Sequence, residues 1–143
     1  MNLQDIDHLT ERFYQGVSFN TEHFPNFDLV QELFFGSGNL INNSSNPPVE
    51  FTVQTFAHSI MSQIETGDAS YFVQQEIADK TEIFGNMAQR ISVFEYSFVK
   101  DTPNWQRGVN YIQYICTDSK WLIISMIWTF EKESLLIPDK YLV

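Results

Sequence analysis

The chain has 143 residues and a net charge of −10, from 18 acidic and 8 basic side chains. This acidity excludes nucleic acid and anionic membranes as favoured partners, because no basic stripe is present to neutralise phosphate groups. Apolar residues make up 43% and aromatic residues 15% of the chain. That composition excludes disorder and predicts one domain over residues 1–143, with either an aromatic core or an aromatic-lined cavity.

Targeting and cysteine signals favour the cytoplasm. Residues 1–8 are polar and acidic and lack the basic and apolar regions of a secretion signal. The longest apolar stretch, residues 121–130, has about half of the ~20 residues that a membrane helix needs. Cys116 is the single cysteine, so it cannot form an internal disulfide, and its place in an apolar strand pattern predicts a buried side chain.

Two amphipathic helices are predicted in the first half of the chain, at residues 5–17 and 52–66. Their apolar stripes follow the helical period and consist of Ile6, Leu9, Phe13 and Val17 in the first helix and Val53, Phe56, Ile60 and Ile64 in the second. Between them we predict a short helix at residues 27–35, a short strand at 39–41 and a polar rim loop at 42–48.

Four long strands are predicted in the second half of the chain. They are rich in β-branched and aromatic residues and cover residues 71–83, 87–98, 107–117 and 121–130. Gly85-Asn86 and Asp118-Ser119 supply hairpin turns. A strand of this length spans about 36 Å, so the sheet must twist and coil. Helices first and strands last predict an α+β fold, a cone-shaped half-barrel in which a long curved antiparallel sheet wraps around the N-terminal helices.

Several segments together resemble the nuclear transport factor 2-like superfamily, which includes ketosteroid isomerase, scytalone dehydratase and the SnoaL-like polyketide cyclases. They are residues 72–77, 84–88, 94–96, 107–110 and 137–142, with Trp121 and Trp128. The chain is most similar to bacterial members of this superfamily whose function is not settled. The resemblance implies a cone-shaped α+β domain, commonly a homodimer formed through the outer sheet face. Because this fold hosts many activities, it does not imply one.

The catalytic positions of the isomerase relatives are occupied here by groups that cannot perform their chemistry. The resemblance places the carboxylate base near Asn42 or Asn43, the acidic strand donor near Gln113 and the helix tyrosine at Phe13, beside Tyr14. Neither an amide nor a phenyl ring exchanges protons at neutral pH. The resemblance therefore does not predict isomerase chemistry through that apparatus.

Other site chemistries also lack their residues. The histidines that would match the dehydratase pair are scattered at His8, His23 and His58, all outside the long strands. No His, Cys or carboxylate cluster has the spacing of a metal site, and Gly36-Ser37-Gly38 is a helix stop rather than a nucleophile elbow. We predict no metal and no cofactor.

A ligand pocket is predicted on the concave face of the sheet. Strand alternation groups Val109, Tyr111, Gln113 and Ile115 on one face, which the resemblance makes the concave one. Leu122, Ile124, Met126, Trp128 and Phe130 form the matching set in the last strand, and Gln89, Ile91 and Val93 join them. The predicted pocket residues are Phe13, Asn43, Gln89, Ile91, Tyr111, Gln113, Met126 and Trp128. The concave face is expected to present amides and rings but nothing that ionises at neutral pH. Alternatively, these side chains simply fill the cone as core.

Three functions remain open. The first is a non-catalytic domain, a homodimer through its sheet, that binds an apolar small molecule or another protein. The second is an isomerase, cyclase or dehydratase whose acid or base has moved to Tyr14, Glu76, Asp79 or Glu82. The third is a structural protein whose sheet face binds another chain.

Overall fold

The structure is a computed structural model that describes residues 3–20 and 22–143. Within those residues the elements in chain order are α1 (Leu3–Val17), α2 (Phe27–Glu32), β1 (Leu40–Asn42), β2 (Val49–Phe51), α3 (Val53–Glu65), β3 (Val73–Phe84), β4 (Met87–Ser97), β5 (Gln106–Thr117), β6 (Lys120–Phe130) and the 3-10 helix η1 (Asp139–Tyr141). The predicted helices and long strands are confirmed, with ends that differ by a few residues. Strand β2 was not predicted, because three residues are too few to show an alternating pattern.

α1 lies across one face of the sheet, which we call the inner face. Its predicted apolar stripe is buried, with Ile6 fully enclosed. Thr10 is buried on the same side, and its Oγ1 lies 2.7 Å from the hydroxyl oxygen of Tyr114 in β5. The helix is therefore fixed to the sheet by apolar contact and by a buried hydrogen bond.

Side-chain caps set the start of the other two helices. The Oδ1 atom of Asn26 accepts a hydrogen bond from the Leu29 amide at 3.1 Å, and α2 begins after it. Thr52 and Thr55 form a reciprocal capping box at the start of α3. Such caps satisfy amide groups that a helix leaves unpaired at its N-terminus.

The six strands found in the described residues form one open sheet in the order β2-β1-β6-β5-β4-β3. The four long strands are antiparallel neighbours, as predicted. The short strand β1 extends this sheet by pairing with β6 in parallel. Register shifts in β3 after Glu76 and in β6 at Ile124 mark bulges, which bend a sheet and increase its twist.

Aromatic rings fill much of the space between the inner face and the helices. Phe94 has no exposed surface, and its ring centroid lies 6.0 Å from that of Tyr14 and 6.2 Å from that of Phe130. Gly108 makes room for this ring, since a Cβ atom there would lie 2.4 Å from Cζ of Phe94. None of the helices in residues 3–20 and 22–143 combines the length and apolarity that a membrane span requires.

Candidate functional site

A cavity of about 290 Å³ lies between α1, α3 and the inner face of the sheet. We call it the inner cavity. About half of its lining residues are aromatic, namely Phe13, Phe19, Phe56, Phe72, Tyr96, Phe98, Trp128 and Phe130. Its volume is at the lower end of the range of roughly 300–1,000 Å³ that is usual for small-molecule sites. The core therefore does not fill the cone completely.

The polar groups of the inner cavity are mainly side-chain amides. Asn42 in β1, Gln63 in α3, Gln74 in β3 and Asn110 in β5 contribute to its wall. Among the described residues, no carboxylate and no histidine lines it. A set of rings with a few amides can orient a neutral molecule, but it provides no group that exchanges protons readily at neutral pH.

Asn110 is the most deeply buried of these amides. Its residue is 2% exposed, and its Oδ1 atom has no hydrogen-bond partner. Its Nδ2 atom donates weakly to the sulfur of Met126 at 3.5 Å. A buried amide oxygen without a donor costs about 1–3 kcal/mol, so this residue is an unusual choice for a purely structural position.

The apolar side of α3 faces the inner cavity rather than a filled core. Within this helix only Val53 is buried, although Phe56, Ile60 and Ile64 continue the same stripe. Phe56 and Ile60 line the cavity and stay half-buried. An amphipathic helix normally buries its whole apolar stripe. The remaining apolar surface of α3 is therefore available to a molecule in the cavity.

An ionic cluster occupies the inner face beside the inner cavity. Arg90 in β4 is buried and donates from Nε to Glu76 at 3.0 Å and from Nη1 to Asp7 at 2.7 Å. Its Nη2 atom also donates to Glu76, and Asp79 lies 3.4 Å from Nη1. The prediction that nothing ionisable faces this side of the sheet was therefore wrong. The charges are grouped in a separate depression, which the inner cavity does not include.

A chain of hydroxyl groups connects this cluster to α1. Ser92 donates to a carboxylate oxygen of Glu76, and its Oγ lies 2.8 Å from the Tyr14 hydroxyl. Burial raises the pKa of Tyr14 above its usual range, although its interactions with Ser92 and Asn110 oppose part of the rise. The phenol is thus a poor proton donor to a substrate at neutral pH. In the described part of the chain no group of three or more His, Cys, Asp or Glu side chains could hold a metal ion.

The predicted pocket residues fall into three groups. Phe13, Met126 and Trp128 line the inner cavity. Asn43 and Tyr111 line a groove on the opposite, outer face, and Gln89, Ile91 and Gln113 lie on that outer face in register with one another and with Tyr111. Of the two candidates for the base position, Asn42 reaches the cavity and Asn43 does not. Whether any of these residues binds a ligand stays a prediction.

The face assignment was wrong for β4 and β5 because both faces of these strands carry apolar residues, so alternation alone does not show which face the helices cover. In β5 the buried set begins with Gly108 and Asn110, whereas the outer set contains Val109 and Tyr111. The first half of β5 therefore does not mark the covered face, which its second half shows with Ile112, Tyr114 and Cys116. In β6 the bulge at Ile124 reverses the alternation, so that Leu122 and Ile124, predicted to face inward, do not share the face of Met126.

Sequence reasoning missed the residues that distinguish the site. Arg90, Ser92 and Asn110 are polar residues at alternate positions of strands that are otherwise apolar. That pattern is also typical of a solvated sheet face. The signal that could have identified them is that alternation places all three on the same face of the sheet, where Ser92 pairs directly with Asn110 across the two strands.

The C-terminal segment covers part of the outer face. Glu131 accepts from Nε and Nη2 of Arg107 at 2.8 and 3.0 Å and from the Ile137 amide at 2.8 Å. We call this arrangement the C-terminal clasp. The Arg107 guanidinium holds the pKa of Glu131 below its usual value. Farther along, the hydroxyl groups of Tyr111 and Tyr141 lie 2.7 Å apart.

Comparison with known proteins finds similar structures but no similar sequence. Neither a protein-family model nor a curated protein matches this chain significantly. A cystatin-like protein of unknown function from Nostoc punctiforme has a TM-score of 0.70 and 12% identity, with 91% of each chain covered. A nuclear transport factor 2-like protein of unknown function from Pseudomonas putida has a TM-score of 0.67 and 12% identity, covering 94% of this chain and 92% of that one.

A third similar structure carries a more specific description. It is a putative calcium/calmodulin-dependent protein kinase II association domain from Xanthomonas campestris, with a TM-score of 0.61 and 14% identity, covering 90% of this chain and 84% of that one. Identities this low establish the fold alone. The chain has the nuclear transport factor 2-like, cystatin-like fold, and the expectation drawn from the sequence is confirmed at that level.

Proposed function

We propose that this chain is a non-catalytic small-ligand-binding protein whose ligand occupies the inner cavity. The observation that carries the proposal is the half-buried apolar stripe of α3, where Phe56 and Ile60 face the cavity. A flat apolar molecule would bury these side chains together with the aromatic wall, which is favourable by about 25 cal/mol per Å² of apolar surface removed from water. The amides support a binding role because they give direction without acid–base chemistry.

A cavity-filling variant tests this proposal. Ile60→Trp places a large ring inside the cavity, whereas His58→Trp places the same ring on the exposed side of the same helix. Thermal-shift and calorimetric titrations with neutral two-ring and three-ring compounds should show binding to the wild type and to His58→Trp, and loss of binding in Ile60→Trp. If no compound binds the wild type, or if Ile60→Trp binds equally well, the proposal is wrong.

A second candidate is an isomerase, cyclase or dehydratase that uses a relocated acid or base. The hydrogen-bonded chain from Tyr14 through Ser92 to Glu76 favours it, because such a chain can move a proton. Burial of Tyr14 and pairing of Glu76 with Arg90 oppose it. A ligand found by the titrations should be recovered unchanged after long incubation. A product formed by the wild type but not by Glu76→Gln would favour the enzyme instead.

The proposal includes a homodimer formed through the outer face of the sheet, as in the resemblance drawn from the sequence. Two copies that each carry a charge of −10 repel one another, so an uncharged contact surface is favoured. Tyr111 and Ile127 on the sheet and Leu135 and Leu136 beside the clasp are exposed apolar side chains there. We propose that the protein is cytoplasmic and acts by binding a ligand, another chain or both.

Light scattering tests the dimer. We expect twice the chain mass of 16.7 kDa at micromolar concentration, and the mass of one chain for Ile127→Glu. Leu3→Glu, on the exposed side of α1, is the matched control and should remain dimeric. A monomeric wild type would remove the dimer from the proposal and leave the ligand site unaffected.

A further inference from the structure

The hydrogen bonds behind the inner cavity run in one direction only, and the direction is set at Glu76. Glu76 is paired with Arg90 through two guanidinium nitrogens, so it is present as a carboxylate, which only accepts hydrogen bonds. Ser92 therefore donates its single hydroxyl proton to Glu76. Having no second proton, Ser92 can only accept from the Tyr14 hydroxyl, which lies 2.8 Å away.

Tyr14 thus gives its proton to Ser92 and has none to offer in the other direction. Burial keeps the phenol protonated, as this arrangement requires. The next polar group along the inner face is Asn110, which is the direct cross-strand neighbour of Ser92. Asn110 also interacts with the Tyr14 hydroxyl. Because the Tyr14 proton is directed to Ser92, only the amide nitrogen of Asn110, which carries protons, can meet the Tyr14 oxygen favourably.

The orientation of the Asn110 amide follows from its neighbours. Its Nδ2 atom lies 3.5 Å from the sulfur of Met126, a weak acceptor without a proton. The opposite orientation would place the amide oxygen against that sulfur. The oxygen would then lack a hydrogen-bond donor, because neither the Met126 sulfur nor the Tyr14 hydroxyl has a proton to offer it. These neighbours direct Nδ2 toward the protein. Oδ1 remains a buried acceptor without a partner, on a residue that lines the cavity.

We infer that the ligand of the inner cavity is a neutral ring compound that carries a hydroxyl or N–H group and donates it to Oδ1 of Asn110. This inference rests on the proposed function and specifies its ligand class. A ketone, ether or ester oxygen would meet a second acceptor at this position. A charged ligand is disfavoured as well, because no described residue that lines the cavity carries an opposite charge, and burial of an unpaired charge is costly.

Three compounds of nearly equal shape provide the test: 2-naphthol, 2-methoxynaphthalene and 2-methylnaphthalene. 2-Naphthol offers a hydrogen-bond donor, 2-methoxynaphthalene offers only an acceptor, and 2-methylnaphthalene offers neither. Calorimetric titration of the full chain should give about tenfold tighter binding of 2-naphthol than of 2-methylnaphthalene, since one buried oxygen gains a partner. 2-Methoxynaphthalene should bind no more tightly than 2-methylnaphthalene.

Two asparagine-to-leucine substitutions distinguish the effect of Asn110 on binding from a general effect of changing the cavity wall. Asn110→Leu should bind all three compounds with similar affinity. Asn42→Leu is the control, since Asn42 lines the same cavity but its Oδ1 already accepts from the amide and hydroxyl of Ser44 at 3.0 and 2.6 Å. It should keep the preference for 2-naphthol. Should Asn110→Leu fail to fold, Ser92→Ala replaces it, because loss of the Ser92 acceptor frees the Tyr14 proton for Asn110 and should weaken the preference.

The outcomes distinguish the inference from the proposal beneath it. A preference for 2-naphthol that is lost in Asn110→Leu and kept in Asn42→Leu supports the inference. Equal binding of the three compounds by the wild type, or tighter binding of 2-methoxynaphthalene, overturns the inference while the proposed ligand site stands. If none of the three compounds binds, and no other neutral ring compound does, the proposed function fails and the inference fails with it.

Discussion

Arg90 is the residue whose loss should destabilise the fold most clearly. Its side chain is 2% exposed and is held by Glu76, Asp7 and the Thr81 hydroxyl. In Arg90→Met the apolar stem is kept and the guanidinium is removed, which leaves the carboxylates of Glu76, Asp7 and Asp79 near one another without their cation. Removing one partner of a buried ion pair costs about 3–5 kcal/mol.

That loss is large relative to the total stability of a domain, which is about 5–15 kcal/mol. Urea unfolding followed by circular dichroism should show it as a lower midpoint. Arg107→Met is the matched control, because Arg107 also makes a two-nitrogen contact with a glutamate but its side chain is 37% exposed. Exposed pairs contribute about 0–1 kcal/mol.

A double variant identifies the cause of the loss. If the uncompensated carboxylate is responsible, Arg90→Met/Glu76→Gln should recover a substantial part of the stability that Arg90→Met loses, since the cycle isolates the coupling of the two groups. Equal losses in Arg90→Met and Arg107→Met would refute the reasoning. So would an Arg90→Met/Glu76→Gln variant that is less stable than Arg90→Met alone.

Three further results are expected. Gly108→Ala should lower the unfolding free energy by about 1–3 kcal/mol, because its Cβ would overlap the Phe94 ring, and an unchanged urea midpoint would contradict this packing. The pKa of Tyr111 is raised to about 12 by its hydrogen bond to Tyr141 and by burial, so in Tyr141→Phe an absorbance titration should show it nearer its usual value of about 10; no change would exclude the bond as the cause. The lowered pKa of Glu131 means that the C-terminal clasp contributes stability above the ordinary carboxyl pKa of about 4.3 and loses it as the pH falls through the folded value. The amide resonances of the clasp should shift in that acidic range in the wild type, and a Glu131→Gln variant that shows the same titration would contradict the assignment.

The amino-acid sequence by itself determined the three α-helices, the four long strands and their order, but not the short strand β2. The apolar stripe of α1 repeats at the helical period, and Gly85 and the Asp118-Ser119 pair adopt the positive φ angles that their hairpin turns need. These signals are local, because each depends on residues within one element or one turn. For the same reason the α+β class and the resemblance in fold could be predicted without coordinates.

Only the tertiary structure decided which face of the sheet the helices cover. Both faces of β5 carry apolar residues, the covered one begins with Gly108 and Asn110, and the bulge at Ile124 reverses the alternation of β6. The ionic cluster joins Asp7 to Arg90 across 83 positions of the chain, and the inner cavity is lined by residues of α1, α3 and the sheet. These features depend on contacts between distant segments, on which the periodicity of any single segment carries no information.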